Sequence, residues 1–259
     1  MSLTTTSSYA DPTLPLWREA FAGLDWLSLR FSPVFAGYGI ERGHGEAVVL
    51  VPGLFAADAS MIELSGWLAR MGYRPYASGI GVNAVRTETA IAAVVATIDR
   101  AHAETGAPVR LIGHSLGGVI ARFAALRRPN RVSQIITLGS PVNGLSAHPA
   151  VLAAAQLIHR EDIDACLATV QQPLPTTIDE TNIYSKTDGV VDWRTCHRPD
   201  ATAIEISGTH TALIANAAAY AAIASTLAAR ALRSRTQRHG VGARRAVPAS
   251  TRNVSTIAA

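Results

Sequence analysis

Cysteine is scarce in this chain, and its scarcity excludes several kinds of fold. Two cysteines among 259 residues, Cys166 and Cys196, cannot build a disulfide framework, and neither has neighbours at metal-ligand spacing. We predict two buried free thiols, with a pairing left open for an exported protein. The histidines and acids form no cluster at metal-ligand spacing either, so we predict no metal and no cofactor.

Long apolar runs are also missing. No run reaches the roughly 18 residues that a membrane-spanning helix needs, so we predict no integral membrane segment. Residues 1–11 are rich in Ser and Thr, and they lack the early positive charge and the apolar core of a secretory signal. These absences predict a cytoplasmic protein.

Acidic residues are absent from the C-terminal stretch. Residues 230–259 contain seven arginines and no acid. The remaining 16 basic residues face all 19 acidic ones, so the rest of the chain carries a formal charge of about −3. A domain without a basic face is not expected to bind nucleic acid. We predict a basic, disordered tail over residues 233–259 and no nucleic-acid partner.

The rest of the chain alternates between apolar strand-like runs and helical patterns. The predicted strands are Glu46–Val51, Tyr73–Ala77, Val109–Ile112, Val132–Leu138, Thr181–Ser185 and Ala201–Ser207. Helical periodicity marks Ser60–Met71, Thr87–Thr105, Val119–Leu126, Ala150–Ile158, Asp162–Val170 and Thr211–Leu232. Repeated alternation of this kind, with apolar strands, predicts an α/β fold in which helices cover both faces of a mostly parallel, six-stranded sheet.

Residues 1–40 are predicted to form an N-terminal segment ahead of one domain over residues 41–232. Apolar residues recur at helical intervals between Leu14 and Phe35, which predicts an amphipathic helix packed over the sheet edge or near a pocket mouth. A position in a membrane interface is the alternative. Interfacial helices usually carry a basic excess, whereas the charges of this helix balance. We therefore expect its apolar stripe to pack against the domain.

The most informative stretch runs from Pro108 to Arg122. A strand-like run is followed by Gly113-His-Ser-Leu-Gly117, which reads as G-x-S-x-G, and then by helical spacing. A serine in such a turn has a strained backbone, and its neighbours must be small because strand and helix approach closely. This context predicts a nucleophile elbow that presents Ser115. His114 is expected to point away from that serine and to be structural.

Two further polar residues follow predicted strands. Asp188 comes after the strand that ends at Ser185, and His210 comes after the strand that ends at Ser207. Ligands of an open parallel sheet bind beyond the carboxyl ends of its strands, so these side chains are expected near Ser115. Asp192, four residues after Asp188, is the alternative acid.

Four blocks of the sequence carry a resemblance to a known family: Gly-His-Ser-Leu-Gly-Gly, Leu-Gly-Ser-Pro-Val-Asn-Gly, Tyr-Ser-Lys-Thr-Asp-Gly-Val-Val and Gly-Thr-His. Together they resemble the α/β-hydrolase superfamily over about residues 45–230, and within it the compact bacterial lipases and esterases. The resemblance implies the α/β-hydrolase fold. The segment at about 142–177 would then be a short helical cap insertion above Ser115.

The resemblance also implies roles for single residues. Ser115 would be the nucleophile, His210 the base and Asp188 the acid that orients the histidine. The oxyanion hole would take one backbone N–H from Leu116 and one from Leu54. Phe55 is the fallback for the second donor and is also expected to contact the substrate.

This constellation predicts a serine hydrolase that cleaves carboxylic esters through an acyl-enzyme. The insertion at Val142–Thr177 is rich in Ala, Leu, Val and Ile, so the expected substrate is a small-molecule or lipid ester with an apolar acyl group. An acyltransferase or perhydrolase with the same triad stays open. So does a binding protein that keeps the fold without catalysis.

Overall fold

A parallel sheet forms the centre of the computed structural model, which describes residues 10–158, except Pro12, and residues 168–230. Its strands are Ala47–Val51 (β1), Arg74–Ala77 (β2), Val109–His114 (β3), Val132–Leu138 (β4), Asp179–Ser185 (β5) and Thr202–Ile206 (β6). Their order is β2-β1-β3-β4-β5-β6, and every pairing is parallel. Within the described residues the predicted six-stranded sheet is confirmed, and it is wholly rather than mostly parallel.

The central strands are apolar because both of their faces are covered. Along β1, Ala47, Val49 and Val51 enter one hydrophobic cluster, whereas Val48 and Leu50 enter the cluster on the opposite face. Successive side chains of a strand point to opposite faces, so an unbroken apolar run is what a strand buried on both faces requires.

Helices cover both faces of the sheet. They span Ala22–Arg30 (α1), Pro33–Ala36 (α2), Ile62–Arg70 (α3), Thr87–Thr105 (α4), Leu116–Arg127 (α5), Pro149–Ile158 (α6) and 217–230 (α7). Trp67 of α3 packs against Tyr220 of α7, with ring centroids 4.7 Å apart, over one face. Ile98 of α4 and Ile120 of α5 belong to the cluster on the other face.

The N-terminal segment differs from the single amphipathic helix that its periodicity predicts. A 3-10 helix over Leu16–Phe21 leads into α1, and α2 follows after Ser32, whose side chain caps it. The predicted inward stripe faces solvent, because Trp17, Phe21, Leu24 and Leu27 are between 49% and 66% exposed.

The opposite, polar side of this segment faces the domain. Leu29 is the only buried residue of α1, and the carboxylates of Glu19 and Asp25 accept hydrogen bonds from the rest of the domain. The expectation that the apolar stripe packs inward is therefore wrong for Trp17, Phe21, Leu24 and Leu27, whereas Leu16 packs against a buried hydrophobic cluster. Periodicity shows that a helix has two faces, but it does not show which face finds hydrogen-bond donors.

The insertion between β4 and β5 is fastened to the loop that follows β5. Ala147 bridges to Val191, and His148 N–H donates to the Val190 oxygen at 2.9 Å. The predicted helix over Asp162–Val170 lies outside the described residues except for 168–170, which are helical. The predicted tail over 233–259 lies outside them too. A cap above the nucleophile therefore stays a prediction.

One of the two cysteines predicted to be free thiols lies within the described residues. Cys196 is buried with a free thiol, as predicted, and burial raises its pKa well above the ordinary value. Cys166 lies outside the described residues.

A buried arginine joins α5 to the end of the insertion. The Arg122 side chain is fully buried and forms an ion pair with Glu180 of β5. Its remaining donors reach the Val170 oxygen at 2.9 Å and the Gln172 oxygen at 2.7 Å. A buried charge is tolerable only when it is paired and its other donors are satisfied, and both conditions hold here.

Replacing this arginine should be severely destabilising. We expect Arg122→Ala to lower the free energy of unfolding by about 3–5 kcal/mol, because Glu180 would be left buried without its counter-charge. Arg127→Ala on the same helix is the matched control. Its pair with Glu88 is exposed and is worth at most about 1 kcal/mol. Urea unfolding measures both losses, and similar values for the two variants would contradict the prediction.

Candidate active site

The predicted elbow is present between β3 and α5. Ser115 directly precedes the first residue of α5 and has a φ of 53° and a ψ of −129°, in the positive-φ region that side chains rarely adopt. Its N–H donates to the Leu138 oxygen at 2.9 Å, which ties the turn to the end of β4. Such strain persists only where the surrounding structure enforces it, and here it turns the serine away from the strand.

Packing explains the glycines that surround the serine. A Cβ atom on Gly113 would lie 2.5 Å from Gly118 Cα, and one on Gly117 would collide with the carbonyl oxygen of Val51. A Cβ on Gly118 would collide with the side chain of Ser140. Each glycine is required by a different neighbour, so the G-x-S-x-G-G pattern reflects strand–helix packing on three sides.

The predicted acid and histidine meet in a buried pair. Asp188 follows β5 and His210 follows β6, and Asp188 Oδ2 lies 2.6 Å from His210 Nδ1. Asp188 Oδ1 also accepts from the N–H groups of Val190 and Val191, both at 2.8 Å. The two residues are 3% and 5% exposed. Three hydrogen bonds thus hold the carboxylate in one orientation against the imidazole.

Electrostatics favours a protonated Nδ1 on His210. Burial by itself lowers the pKa of His210, but the charge of Asp188 and the hydrogen bond to it outweigh this, so the pKa is raised above 6.5. Because a carboxylate can only accept, the imidazole donates from Nδ1, and its Nε2 is left as the basic nitrogen when the ring is neutral.

The carboxyl ends of strands β3 and β4 bring the elbow and the Asp188–His210 pair together. A Cβ on Gly139, directly after β4, would lie 3.1 Å from Asp188 Oδ2 and 3.2 Å from His210 Nδ1. The imidazole of His114, the neighbour of Ser115, has its centroid 4.9 Å from that of His210. All three predicted residues therefore lie at the carboxyl edge of the sheet, where the topology predicts a ligand site.

Asp192, the alternative acid, has a different task. It precedes the 3-10 helix Trp193–Thr195, and its side chain accepts from the Arg194 N–H at 3.0 Å. The structure thus brings Asp188, and not Asp192, to the histidine.

The turn after β1 carries the predicted oxyanion donor. A Cβ on Gly53 would lie 3.1 Å from Ser115 Cβ, so this turn packs directly against the elbow. Phe55 N–H already donates to the Asn83 oxygen at 2.9 Å, which leaves Leu54 as the candidate from this turn. Leu116 begins α5, so its N–H has no acceptor within the helix.

Asn83 supports the site although no sequence motif points to it. It is fully buried, and its Nδ2 donates to the Pro52 oxygen at 2.8 Å while its backbone pairs with Phe55 and Ala56. It therefore locks both ends of the turn that contains Leu54. Asn83 lies in the loop after β2, far from the recognisable motifs, and no spacing rule connects it to the turn.

His114 is structural in the way the sequence predicts. It is buried, and its Nε2–H donates to the backbone oxygen of His210 at 2.9 Å. Burial, together with the nearby His210, lowers the pKa of His114 to about 3, so the ring is neutral at ordinary pH. It supports the backbone of His210 rather than Ser115.

Two absences within the described residues concern metal ions and membranes. Residues 10–158 and 168–230, leaving out Pro12, contain no group of three or more His, Cys, Asp or Glu side chains that could hold a metal ion. No helix in the same part of the chain is long and apolar enough to cross a membrane.

Comparisons with known proteins agree on the fold. A family model described as the alpha/beta hydrolase fold matches residues 46–161. The chain therefore has the α/β-hydrolase fold, and its resemblance to that superfamily is confirmed. A search by sequence among curated proteins finds no match.

Solved structures of lipases are among those similar to this chain. Mature Bacillus licheniformis lipase BlEst2 matches with a TM-score of 0.54 and 15% identity, over 73% of this chain and 94% of that chain. A structure of the metagenome-derived lipolytic enzymes LipS and LipT matches with a TM-score of 0.51 and 16% identity, over 68% of this chain and 89% of that chain. Aspergillus fumigatus lipase B matches with a TM-score of 0.51 and 16% identity, over 73% of this chain and 54% of that chain. At these identities the likeness shows the fold alone.

The strained backbone of the serine leads to a stability prediction. Glycine adopts a positive φ without a steric penalty, so we expect Ser115→Gly to be about 1 kcal/mol more stable than Ser115→Ala. At Ser133, the second residue of β4, φ is not positive, so the order should reverse, because glycine there only adds conformational freedom to the unfolded chain. Thermal unfolding of the four variants measures this, and the same order at both positions would show that residue 115 is unstrained.

The lowered pKa of His114 leads to a second prediction. The unfolded chain takes up a proton on this ring below pH 6.5, whereas the folded chain does so only near pH 3. The free energy of unfolding should therefore fall as pH falls through this window, and His114 should contribute about 2 kcal/mol of the loss between pH 7 and pH 5. We expect His114→Gln to unfold with a correspondingly flatter pH dependence in urea titrations. Parallel curves for wild type and variant would contradict this.

Proposed function

We propose that this protein is a serine hydrolase that cleaves carboxylic esters through an acyl-enzyme, with Ser115, His210 and Asp188 as its triad. The observation that carries the proposal is the buried pair of Asp188 and His210, joined at 2.6 Å at the same edge of the sheet as a serine held at positive φ. A binding protein has no use for a serine held at strained backbone angles, since such strain reduces stability and adds no contact.

The first half of the reaction forms the acyl-enzyme. Ser115 Oγ attacks the ester carbonyl while His210 Nε2 takes its proton, and Asp188 stabilises the imidazolium that results. The tetrahedral intermediate then collapses, and His210 returns the proton to the leaving alcohol. In the second half, His210 activates water in the same way, and hydrolysis of the acyl group regenerates Ser115.

Backbone dipoles supply the stabilisation of negative charge in this mechanism. The N–H groups of Leu54 and Leu116 would donate to the oxyanion, and both belong to segments packed against the elbow. α5 is 12 residues long and begins directly after Ser115, so its positive end points towards the developing charge. These donors are held in place before the substrate arrives.

The substrate proposed is an ester with an apolar acyl group. Phe55 is 50% exposed on the turn that carries the proposed oxyanion donor, and it is available to contact a substrate. The proposal of ester cleavage draws support from the lipases and lipolytic enzymes among the similar structures. The apolar insertion between β4 and β5 favours an aliphatic or aromatic acyl chain.

The proposal is tested with p-nitrophenyl esters of increasing acyl length. We expect Ser115→Ala and His210→Ala each to lower kcat by about 10³-fold or more, because each removes a group that reacts. Asp188→Asn should lower it less, because that residue orients rather than reacts. Asp192→Asn is the matched control from the same loop, and its turnover should equal that of the wild type.

Two results would contradict the proposal. Wild-type turnover in Ser115→Ala would exclude the nucleophile, and absence of ester cleavage for every chain length would exclude the activity. Added alcohol or hydrogen peroxide tests the acyl acceptor. Products formed from those acceptors in preference to water would assign acyl transfer or perhydrolysis to the same triad.

A further inference from the structure

A carboxylate of the N-terminal segment reaches the backbone of both loops that carry the acid and the histidine. Glu19 Oε1 accepts from His210 N–H at 2.9 Å and from Gly189 N–H at 3.1 Å, and Oε2 accepts from Thr211 N–H at 2.8 Å. Gly189 directly follows Asp188. One side chain, about 170 to 190 residues away in sequence, therefore bonds next to Asp188 and at His210 itself.

Two of the three N–H groups, those of His210 and Thr211, have particular need of an acceptor. His210 and Thr211 begin the 3-10 helix Thr211–Ala215, whose first N–H groups have no partner within the helix, and no local side chain caps it. Hydrogen bonds to a charged acceptor are stronger than those between neutral groups. Glu19 thus caps this helix from a distant part of the chain.

Close packing of the N-terminal segment on the acid loop supports the same contact. A Cβ on Gly189 would lie 2.6 Å from the Pro15 oxygen and 3.1 Å from Glu19 Oε1. The φ of Gly189 is not positive, so this glycine is required by the approaching chain and not by its own backbone. The Asp-Gly pair in the motif is explained by a neighbour that the motif does not contain.

Contacts other than those of Glu19 also hold the N-terminal segment against the domain, and they do not involve Gly189, His210 or Thr211. Asp25 Oδ1 accepts from Asn216 Nδ2 at 2.8 Å, and Arg30 pairs with Glu63 at 2.7 Å. The indole N–H of Trp26 also donates to Glu63. Loss of Glu19 would therefore leave α1 attached to the domain. A change in activity would then reflect the loops of Asp188 and His210 and not detachment of the N-terminal segment.

We propose that Glu19 is a positioning residue of the hydrolase, which holds the Asp188 loop and the His210 loop at the separation that their hydrogen bond requires. This inference rests on the proposed function. It assigns to the N-terminal segment a part in catalysis that no motif of the sequence indicates. Misplacement of reacting groups by about 1 Å can lower a rate by about 10²-fold, so a clamp on both loops is expected to matter for turnover.

The charge of Glu19 adds a second, electrostatic effect. The charged and titratable groups that face His210 among the described residues are Asp188, His114 and Glu19, and the negative charge of Glu19 contributes to raising the pKa of His210. The base must be neutral to act, so activity rises with pH as His210 loses its proton. Removing the charge of Glu19 should therefore move the acid limb of the kcat/KM profile to lower pH.

Three variants test the proposal in the full chain. We expect Glu19→Ala to lower kcat by about 10²-fold and Glu19→Gln, which keeps one acceptor oxygen, by about tenfold, with KM within about twofold. Both should show the shifted acid limb. Glu63→Gln is the matched control, because it removes a carboxylate that anchors the same segment but contacts neither loop. Its kcat and pH profile should equal those of the wild type.

Amide hydrogen exchange provides a readout that does not depend on activity. In the wild type the amides of Gly189, His210 and Thr211 should be protected, and they should exchange faster in Glu19→Gln but not in Glu63→Gln. Absence of protection in the wild type would overturn the proposal even if the variants failed to fold. So would a Glu19→Gln enzyme that matches Glu63→Gln in kcat and pH profile.

The two proposals fail in different ways. Wild-type turnover in Ser115→Ala would defeat the triad and leave the exchange result intact. Full turnover in Glu19→Gln, with Ser115→Ala inactive, would defeat only the positioning role.

Discussion

The close approach of the elbow to the ends of β1 and β4 is the constraint on which the rest of the site depends. Backbone atoms of Val51, the side chain of Ser140 and the first turn of α5 leave no room for a Cβ at the surrounding glycines. The strained φ of Ser115 is a consequence of that packing. Because the sheet is parallel, the same edge also receives the loops after β5 and β6, so strand packing and site formation have one cause.

Loops at this edge are held by carboxylates that accept backbone N–H groups. Asp58 accepts from Ser78, Gly79 and Gly81, as Asp188 does from the loop after β5. Loop N–H groups cannot pair along a strand, and leaving them buried without an acceptor is costly. A carboxylate satisfies several of them at once and fixes the loop shape. The loops that carry the site residues are therefore held by hydrogen bonds, although these residues stand outside the strands.

Local patterns predicted the regular elements well. Thr87–Thr105 and Val132–Leu138 have the same bounds in the structure as in the sequence prediction, because an uninterrupted apolar period and a following glycine or turn define them. β5 starts two residues earlier than predicted, at Asp179, since pairing with β4 extends it into polar residues. The N-terminal segment was predicted with its faces reversed, because its inward side is chosen by hydrogen-bond donors on distant loops.

Sequence patterns alone predicted the elbow, the places of Ser115, Asp188 and His210 after strands, and the burial of both sheet faces, since each depends on residues close together in the chain. Three features emerge only from the folded chain: Asp188 rather than Asp192 faces His210, Asn83 bonds to the turn of Leu54, and Glu19 reaches the loops of Asp188 and His210. These contacts join segments far apart in the chain. Their partners are largely backbone groups, which every residue carries and which therefore leave no signal in a sequence.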